Sequence, residues 1–509
     1  MGQDRGRVYA PRVPSLLQRA LSAATVGLTG CAVHVTTPPS VLPPAPADAA
    51  LVAATRGAVE RELAAEVAKL KLPSLAFGVV TRGGLVYFIG LGTRESGGGE
   101  VTADTIYRIG SITKTFTGMA LLQLRDAGKL DLDDPVVKYL PEIATARYPT
   151  QDSGPIRLRH LVTHTSGLPR VGKLQYGFGH EVDRKDLRDA VAEAVLEFAP
   201  GTRAQYSNLA MALAGPIIAR VSGEPYRAYL AAHILAPLGM THTVWDRDEV
   251  PPDLLAQGWA QRGGRFSTVD SHWHLGAAEA MGGLYSSVAD MSRYVAFQLS
   301  AWPARDGADP GPLQRSSVRE SQLVAGFGRG GGEGFGVNWI VKNEPSLGGH
   351  VVFHNGMTEG YHATVWMLPE RGLGVIALGP GTQDLDGLAH RALAAIVAAD
   401  HHEPALGAPA QAALTRVREL LVAADLAAVQ ASFDPAFIEH VSAEKLLAVL
   451  ASVRESSGRC TRVSVLKADA PTTAAVELTC ERSTWRVELT ADPAAPHRIR
   501  GLLLTPAQP

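Results

Sequence analysis

The sequence predicts a protein of the α/β (α+β) class, with a large body and a small C-terminal α+β domain. Two groups of strand-like segments, at 75–92 and 361–378, lie near the ends of the body, and segments with helical spacing of apolar residues fill most of the stretch between them. After a Pro-containing linker at 403–411, three helical segments precede four strand-like ones. This order of elements is typical of a small α+β domain.

The body opens with a helix and a hairpin. Leu51–Leu72 has the three- and four-residue apolar spacing of a helix. Leu75–Thr81 and Leu85–Gly92 have strand character and are separated by a short Arg-Gly-Gly turn, which predicts a β-hairpin. Glycine and proline then break Ala190–Leu238 into successive helices, and Val288–Leu299 predicts one more.

The second half of the body returns to strands. Trp245–Ala278 is polar and irregular and predicts loops near a cleft. Tyr361–Leu368 and Gly374–Leu378 have the apolar patterns of paired strands, and Leu385–Ala399 predicts a closing helix. We predict an accessory or interaction domain of unknown partner at 412–509, because no catalytic set is visible there. Its predicted segments are helices at 412–423, 426–432 and 443–454 and strands at 463–467, 474–479, 485–489 and 499–504.

The composition excludes several classes of function. The chain has 48 Lys and Arg residues against 50 Asp and Glu residues, and its formal net charge is −2. No concentration of basic residues suggests a nucleic-acid partner. No apolar run is long enough to cross a bilayer as a mature helix. A hydrophobic content of 46% is sufficient for real cores.

The N-terminal residues have the features of an export signal. Three arginines within the first twelve residues precede a weakly apolar segment at 20–30, and Leu28–Cys31 resembles a bacterial lipobox. We therefore predict a lipoprotein-type signal peptide at 1–31, a lipid anchor on Cys31, a Pro-rich tether at 32–50, and export to the bacterial periplasm or cell envelope. The alternatives are an ordinary signal peptide and a disordered N-terminus that happens to contain a cysteine.

The stretch that contains Ser111 and Lys114 is central to the body. Ile112, Phe116 and Leu124 recur at helical spacing, so Ser111 is predicted to open a buried helix with Lys114 one turn further on the same face. A desolvated lysine can take the proton of a serine nucleophile, and a helix start offers free N–H groups to an oxyanion. A capping serine followed by a solvated lysine would give the same pattern.

Two further motifs favour the catalytic interpretation. Tyr206–Asn208 precedes an apolar helical segment, and His354–Gly356 precedes the strand-like run at 361–368. Together with Ser111–Lys114, these motifs resemble the serine β-lactamase and penicillin-binding-protein superfamily, and the tyrosine motif resembles its class C β-lactamase, D-aminopeptidase and esterase branch. The string Arg159–Pro169 is also similar to one found in this superfamily.

This resemblance implies a fold and a domain boundary. The N-terminal hairpin and the late strands would form one antiparallel sheet flanked by the first and last helices. Residues 115–299 would form a mainly helical lobe, with the site between sheet and lobe. Residues 51–402 would then be a serine hydrolase domain with a β-lactamase/transpeptidase-like fold.

The resemblance also implies roles for individual residues. Ser111 would be the nucleophile and Lys114 would hold or shuttle its proton. Tyr206 would be the general base, either as a phenolate stabilised by Lys114 or through a shared proton; a tyrosine that merely packs would look the same in the sequence. Asn208 would orient Lys114 and the substrate amide. The backbone N–H groups of Ser111 and Met357 would form the oxyanion hole.

The third motif departs from many relatives, which have Lys-Thr-Gly in its place. His354 and Asn355 would support the substrate, and Gly356 would let the backbone approach it closely. A lysine is a permanent cation suited to a carboxylate, whereas a histidine is cationic only near or below its pKa. Ester or amide substrates without a free carboxylate are therefore more plausible than penicillin-like ones.

Two pairs of histidines have spacings that can hold a metal, His160 with His164 and His272 with His274. No glutamate of a zinc-protease motif accompanies the first pair, and no third ligand is evident for the second. In the superfamily, the string that contains the first pair is structural. We expect no metal site and no cofactor.

These motifs favour a membrane-tethered serine hydrolase that acts through a Ser111 acyl-enzyme on an ester, an amide or a β-lactam, in a small molecule or a peptide. A non-catalytic binder or sensor of cell-wall peptides is the alternative. A third interpretation is a membrane-anchored scaffold whose C-terminal domain is the working part.

Two cysteines lie in the predicted C-terminal strands. An oxidising compartment would allow Cys460 and Cys480 to form a disulfide, since they flank a turn near residue 470. In a symmetric hairpin, however, the valines at 463 and 465 would share a face with polar residues. A bulge or a different pairing is therefore needed.

Overall fold

The computed structural model describes residues 46–177, 180–269, 273–309, 311–328, 332–381, 384–399 and 406–507. Its helices are α1 (Pro46–Leu70), α2 (Thr113–Asp126), α3 (Leu158–Val162), α4 (Arg184–Ala192), α5 (Asn208–Ser222), α6 (Tyr226–Leu230), α7 (Ala236–Leu238), α8 (Val288–Ser300), α9 (Arg315–Ser321), α10 (Leu385–Ala399), α11 (Ala408–Val422), α12 (Leu426–Ser432), α13 (Pro435–His440) and α14 (Ala443–Ser457). Its strands are β1 (Ser74–Thr81), β2 (Gly84–Gly92), β3 (Ile106–Arg108), β4 (Gly258–Arg262), β5 (Arg265–Val269), β6 (Tyr285–Ser287), β7 (Gly326–Phe327), β8 (Glu333–Phe335), β9 (Ile340–Glu344), β10 (Gly349–Thr358), β11 (Tyr361–Leu368), β12 (Leu373–Pro380), β13 (Cys460–Ala470), β14 (Thr473–Cys480), β15 (Thr484–Ala491) and β16 (Ile499–Pro506).

The predicted signal peptide and its lipidated Cys31 lie outside the described residues. The predicted tether at 32–50 is corrected at its end, because residues 46–50 belong to α1. In the described part of the chain, no helix combines the length and the apolar character needed to cross a membrane.

One eight-stranded antiparallel sheet forms the centre of the body. Its strand order is β2-β1-β12-β11-β10-β9-β8-β7. The N-terminal hairpin therefore pairs with the late strands, and Val79 lies opposite Tyr87 of β2 and Val375 of β12. The predicted fold class, an antiparallel sheet flanked by helices beside a helical lobe, is confirmed.

Both faces of this sheet are covered, which explains the fully buried apolar runs of β1, β11 and β12. Alternate residues of a strand point to opposite faces. Val79, Phe353 and Val375 share a core with residues of α1 and α10, whereas Val80 and Val352 belong to the core of the helical lobe.

The helical lobe is built around α2, in which every residue of 113–122 is buried. Helix α5 and a 3₁₀ turn at Gly276–Met281 pack against it. The predicted helices at 190–238 are corrected at their start, because residues 193–207 are irregular and α5 begins only at Asn208. The segment turns at Pro200 and Gly201 before it can enter a helix.

The polar stretch at 245–278 is not made of loops alone. Strands β4 and β5 form a hairpin within it. Its turn residues, Gly263 and Gly264, have φ values of 56° and 77°, which glycine adopts without strain. An exposed two-stranded ribbon buries too few apolar residues to show strand periodicity, so its sequence resembles a loop.

The C-terminal domain has the predicted order of elements with one added helix, α13. Its sheet is antiparallel with the order β13-β14-β15-β16, and Val417, Leu450, Val476 and Val487 share its core. The predicted linker at 403–411 is corrected at its end, since α11 already begins at Ala408. Its second residue is a proline, which the first turn of a helix tolerates.

A disulfide joins Cys460 and Cys480 in the C-terminal sheet. The two cysteines lie opposite each other, and an irregularity directly after Cys460 brings Val463 opposite Leu478. This bulge returns the valine to the apolar face of the hairpin.

Candidate active site

Ser111 lies on a tight turn between β3 and α2. Residues Gly110–Ile112 form a single 3₁₀ turn, and the α-helix begins at Thr113. The prediction that Ser111 opens the α-helix is therefore corrected: Ser111 lies in the 3₁₀ turn that directly precedes the α-helix. A 3₁₀ turn has three residues per turn, so Lys114 still lies on the same side as Ser111.

Lys114 is fully buried, and its Nζ lies 2.8 Å from Ser111 Oγ. The same Nζ donates a hydrogen bond to the carbonyl oxygen of Met281. No carboxylate pairs with Lys114 in the part of the chain that the structure describes. Burial lowers the pKa of Lys114 well below its ordinary value, and the charge of Arg170 lowers it further. Burial therefore shifts the balance toward the neutral amine, which is the form that can accept a proton from Ser111.

Tyr206 approaches Ser111 from the start of α5. Its hydroxyl shares a hydrogen bond with Ser111, and Lys114 Nζ lies 5.1 Å from the centroid of its ring. Burial raises the pKa of Tyr206, and the hydrogen bond to Ser111 offsets only part of that rise. Burial therefore favours the neutral phenol with a shared proton over the phenolate.

His164 forms the support beneath Tyr206. It is fully buried, its ring lies 4.4 Å from the Tyr206 ring, and its Nδ1 accepts a hydrogen bond from the backbone N–H of Ser207 at 3.2 Å. His160 instead accepts a hydrogen bond from the backbone N–H of Arg157 at 3.1 Å. The two histidines thus serve different backbone partners, and no cluster of metal-binding side chains occurs among the described residues.

Asn208 is the first residue of α5, and its predicted contact with Lys114 is not formed. Its Nδ2 donates to Tyr176 Oη at 3.0 Å, and its Oδ1 is buried with no hydrogen-bond partner among the described residues. No hydrogen bond joins it to Lys114 within the same part of the chain. The carbonyl group of Met281 orients the lysine instead.

His354 lies on β10 on the same side of the sheet as Tyr206, with 6.2 Å between the two ring centroids. Its Nδ1 lies 2.6 Å from the carbonyl oxygen of Asn355. A carbonyl oxygen only accepts hydrogen bonds, so Nδ1 carries the proton. Burial lowers the pKa of His354 to about 4. His354 is therefore neutral at pH 7 and cannot supply the permanent cation of a lysine.

Asn355 points away from the cleft. Its Nδ2 donates to Asp386 Oδ2 in the first turn of α10, on the opposite face of the sheet. Thr364 donates to the other oxygen of the same carboxylate. The predicted substrate-supporting role of Asn355 is corrected, because strand alternation places its side chain behind the site when His354 faces it.

Gly356 allows the strand to lie against the Ser111 turn. A Cβ atom at Gly356 would lie 1.9 Å from the carbonyl oxygen of Ile109 and 2.7 Å from the backbone nitrogen of Ser111. A Cβ atom at Gly110, whose φ is 49°, would lie 3.0 Å from the backbone nitrogen of Met357. This backbone-to-backbone contact brings the amide groups of Ser111 and Met357 close together, as an oxyanion hole requires.

Arg170 contributes a positive charge that the sequence did not reveal. Its side chain is exposed, and its guanidinium carbon lies 5.2 Å from the centroid of the Tyr206 ring. The carbonyl oxygen of Arg170 accepts a hydrogen bond from the backbone N–H of Asn208 at 2.7 Å. In the described part of the chain, its guanidinium makes no ion pair or hydrogen bond. The string Arg159–Pro169 is the sequence feature that could have pointed to Arg170, because it ends at the preceding residue.

Comparison with known proteins identifies the family of this chain. Residues 59–399 match the family model described as Beta-lactamase, which is more than half of the chain. AmpH of Escherichia coli K12, named a D-alanyl-D-alanine-carboxypeptidase/endopeptidase, is 29% identical over 294 residues, which cover 56% of this chain and 74% of AmpH. Beta-lactamase-like protein 2 of Dictyostelium discoideum is 35% identical over 210 residues, which cover 40% of this chain and 37% of that protein.

Solved structures share the fold. The octameric penicillin-binding protein homologue from Pyrococcus abyssi has a TM-score of 0.57 at 24% identity, and the match covers 86% of this chain and 91% of that one. The β-lactamase/D-alanine carboxypeptidase from Yersinia pestis, complexed with citrate, has a TM-score of 0.53 at 24% identity and covers 64% of this chain and 93% of that one. The resemblance inferred from the three motifs is thereby confirmed, and the chain belongs to the β-lactamase family.

Proposed function

We propose that this protein is a serine hydrolase that cleaves an ester or amide bond, including that of a β-lactam, through an acyl-enzyme on Ser111. The observation that carries the proposal is the 2.8 Å approach of the buried Lys114 amine to Ser111 Oγ. A lysine in this setting is driven toward its neutral form, which is the form that can activate a hydroxyl group.

The proposed reaction uses the same groups in both half-reactions. Ser111 Oγ attacks the carbonyl carbon, its proton passes to Lys114 Nζ, and the N–H groups of Ser111 and Met357 stabilise the oxyanion. The phenol of Tyr206 donates its proton to the leaving alcohol or amine and regains one from Lys114. A water molecule then attacks the acyl-enzyme, its proton returns through the same groups, and Ser111 is released.

The choice of substrate is proposed from the charges at the cleft. His354 is neutral, so a substrate carboxylate would find its cation at Arg170, on the other wall. Peptides or amides with a free carboxylate near the scissile bond therefore become substrates, beside neutral esters. AmpH, the Escherichia coli relative, is named for a carboxypeptidase and endopeptidase activity, and we extend the peptide class to this chain as part of the proposal.

A substrate panel tests the proposed function. Wild-type protein, Ser111→Ala and the control Ser153→Ala, at a partly exposed serine, would be assayed on p-nitrophenyl esters, D-amino-acid amides, D-alanyl-D-alanine peptides and a chromogenic cephalosporin. We expect turnover of at least one class by wild type and Ser153→Ala, and loss of that turnover in Ser111→Ala. Turnover that survives in Ser111→Ala refutes the acyl-enzyme, and binding without turnover by any form supports a non-catalytic binder of cell-wall peptides.

We also propose that the protein is exported and held at a membrane by a lipid on Cys31, for which the motif at Leu28–Cys31 is the support. Cys31→Ala should move the protein from the membrane fraction to the soluble or uncleaved fraction. Unchanged partition in detergent-free fractionation would speak against the anchor.

A further inference from the structure

A second cavity, of about 510 Å³, lies in the helical lobe. Helices α4, α5 and α6 and the turn at 276–281 line it, and none of the side chains that surround Ser111 takes part. Leu187, Val191, Leu213 and Pro216 give it an apolar wall. Its volume falls within the range of small-molecule sites in proteins.

The rim of this cavity is cationic. Arg184, Arg188 and Arg220 line it with exposed side chains. Arg188 has only a 3.6 Å contact with Asp189, its neighbour in the chain. Among the described residues, Arg184 and Arg220 have no carboxylate partner. At Arg184 and Arg220, the rim therefore offers guanidinium groups that no carboxylate of the described residues neutralises.

The remaining charged groups do not cancel this excess. Arg227 is paired with Asp246 and with Glu279, so its one positive charge meets two negative ones and adds nothing to the excess at the rim. Glu142 is the other acidic residue in the lining. The lining as a whole has four arginines against two carboxylates, Glu142 and Glu279, so an excess of positive charge leaves the cavity attractive to an anion.

We propose that this cavity binds a small amphiphilic carboxylate, such as a medium-chain acyl acid, and that its occupancy is transmitted to Lys114. The acyl chain would remove the apolar wall from water, and the carboxylate would pair with Arg184 and Arg220 at the rim. A cation of the same length would be repelled by the rim, and a neutral alcohol would gain no ion pair.

The transmission follows hydrogen bonds from the cavity to the catalytic lysine. Tyr226 lines the cavity, and its Oη lies 2.7 Å from Thr117 Oγ1 on α2. Thr117 Oγ1 lies 2.8 Å from the carbonyl oxygen of Ala280. The next residue, Met281, accepts the hydrogen bond from Lys114. A ligand that shifts the turn at 276–281 therefore shifts the group that orients the lysine.

Calorimetric titration of the full chain with decanoate, decyltrimethylammonium and decanol, each below its aggregation concentration, tests the binding. We expect decanoate to bind at least about tenfold more tightly than either comparator, and the double variant Arg184→Ala, Arg220→Ala to lose about tenfold in decanoate affinity. Arg462→Ala, an exposed arginine of the C-terminal domain, should leave the affinity unchanged. Equal affinities for the three compounds, or an unchanged affinity in the double variant, would overturn the proposal.

Ala219→Trp tests the location and the coupling. The indole would fill the cavity, which Ala219 lines, without replacing any group around Ser111. Decanoate should change the rate of Ser111-dependent hydrolysis in the wild-type protein and leave it unchanged in this variant, where binding is lost. An equal effect of decanoate on both proteins would place the acid in the cleft and refute the inference. If the protein shows no Ser111-dependent hydrolysis, the proposed function fails, but the calorimetric titration still tests whether the cavity binds decanoate.

Discussion

Replacement of Gly356 by alanine should disable the enzyme without a change to any catalytic side chain. The added Cβ would lie 1.9 Å from the carbonyl oxygen of Ile109, whereas real Cβ contacts are essentially never shorter than 3.0 Å. Because packed interiors transmit such strain, the strand or the Ser111 turn must move by at least about 1 Å. The movement separates Ser111 from Met357, whose N–H groups must meet on one oxyanion. A misplacement of this size costs about a hundredfold in rate.

The assay is steady-state hydrolysis of the best substrate, together with the rate of covalent labelling of Ser111. Both kcat/KM and the labelling rate should fall roughly a hundredfold in Gly356→Ala. Gly154→Ala is the matched control, because a Cβ there meets nothing within 4 Å. If Gly356→Ala keeps kcat/KM within threefold of the wild type while Gly154→Ala behaves identically, the backbone contact does not position the nucleophile.

Tyr206→Phe should lower kcat by roughly a hundredfold and leave substrate affinity and the circular dichroism spectrum largely unchanged, because only the shuttled proton is lost. A kcat equal to that of the wild type would contradict the role of Tyr206 in proton transfer. Arg170→Ala removes a charge that lowers the pKa of Lys114. That pKa then rises, and since the neutral amine forms above it, the acidic limb of the kcat/KM profile should move to higher pH. The preference for carboxylate-bearing over amidated substrates should fall too, and an unmoved limb with unchanged preference would exclude Arg170 from the site. Cys460→Ser should destabilise the C-terminal domain by about 3 kcal/mol in the chain-entropy model, measured by denaturant unfolding; two free thiols in the unreduced wild-type protein would contradict the disulfide.

Apolar periodicity is sufficient to predict the helices and strands that bury one clear face. Helix α10 has the predicted bounds, 385–399, and the N-terminal hairpin lies within about one residue of its prediction. The exposed hairpin of β4 and β5 gives no such signal, because its burial pattern is mixed. Motif resemblance supplied what periodicity could not, namely that distant strands share one sheet.

The contacts of the site depend on chain segments that are far apart in sequence. Met281 holds Lys114 through a backbone carbonyl, a group that every residue type possesses, so no residue pattern predicts it. The motif places Asn355 at the cleft, but the side of the sheet to which its side chain points is set by the strand, and on that side it binds Asp386. The sequence motifs do not point to Arg170, because its proximity to Tyr206 depends on how the string Arg159–Pro169 folds.

Covalent labelling of the full chain tests the central claim most directly. A fluorophosphonate probe followed by peptide mapping should place one adduct on Ser111, and Lys114→Met should slow its formation strongly, since the serine then lacks its proton acceptor. Ser111→Ala should show no adduct, and the control Ser153→Ala, at a partly exposed serine, should label like the wild type. An adduct on another residue, or labelling that persists in Ser111→Ala, would contradict the assignment of Ser111 as the nucleophile.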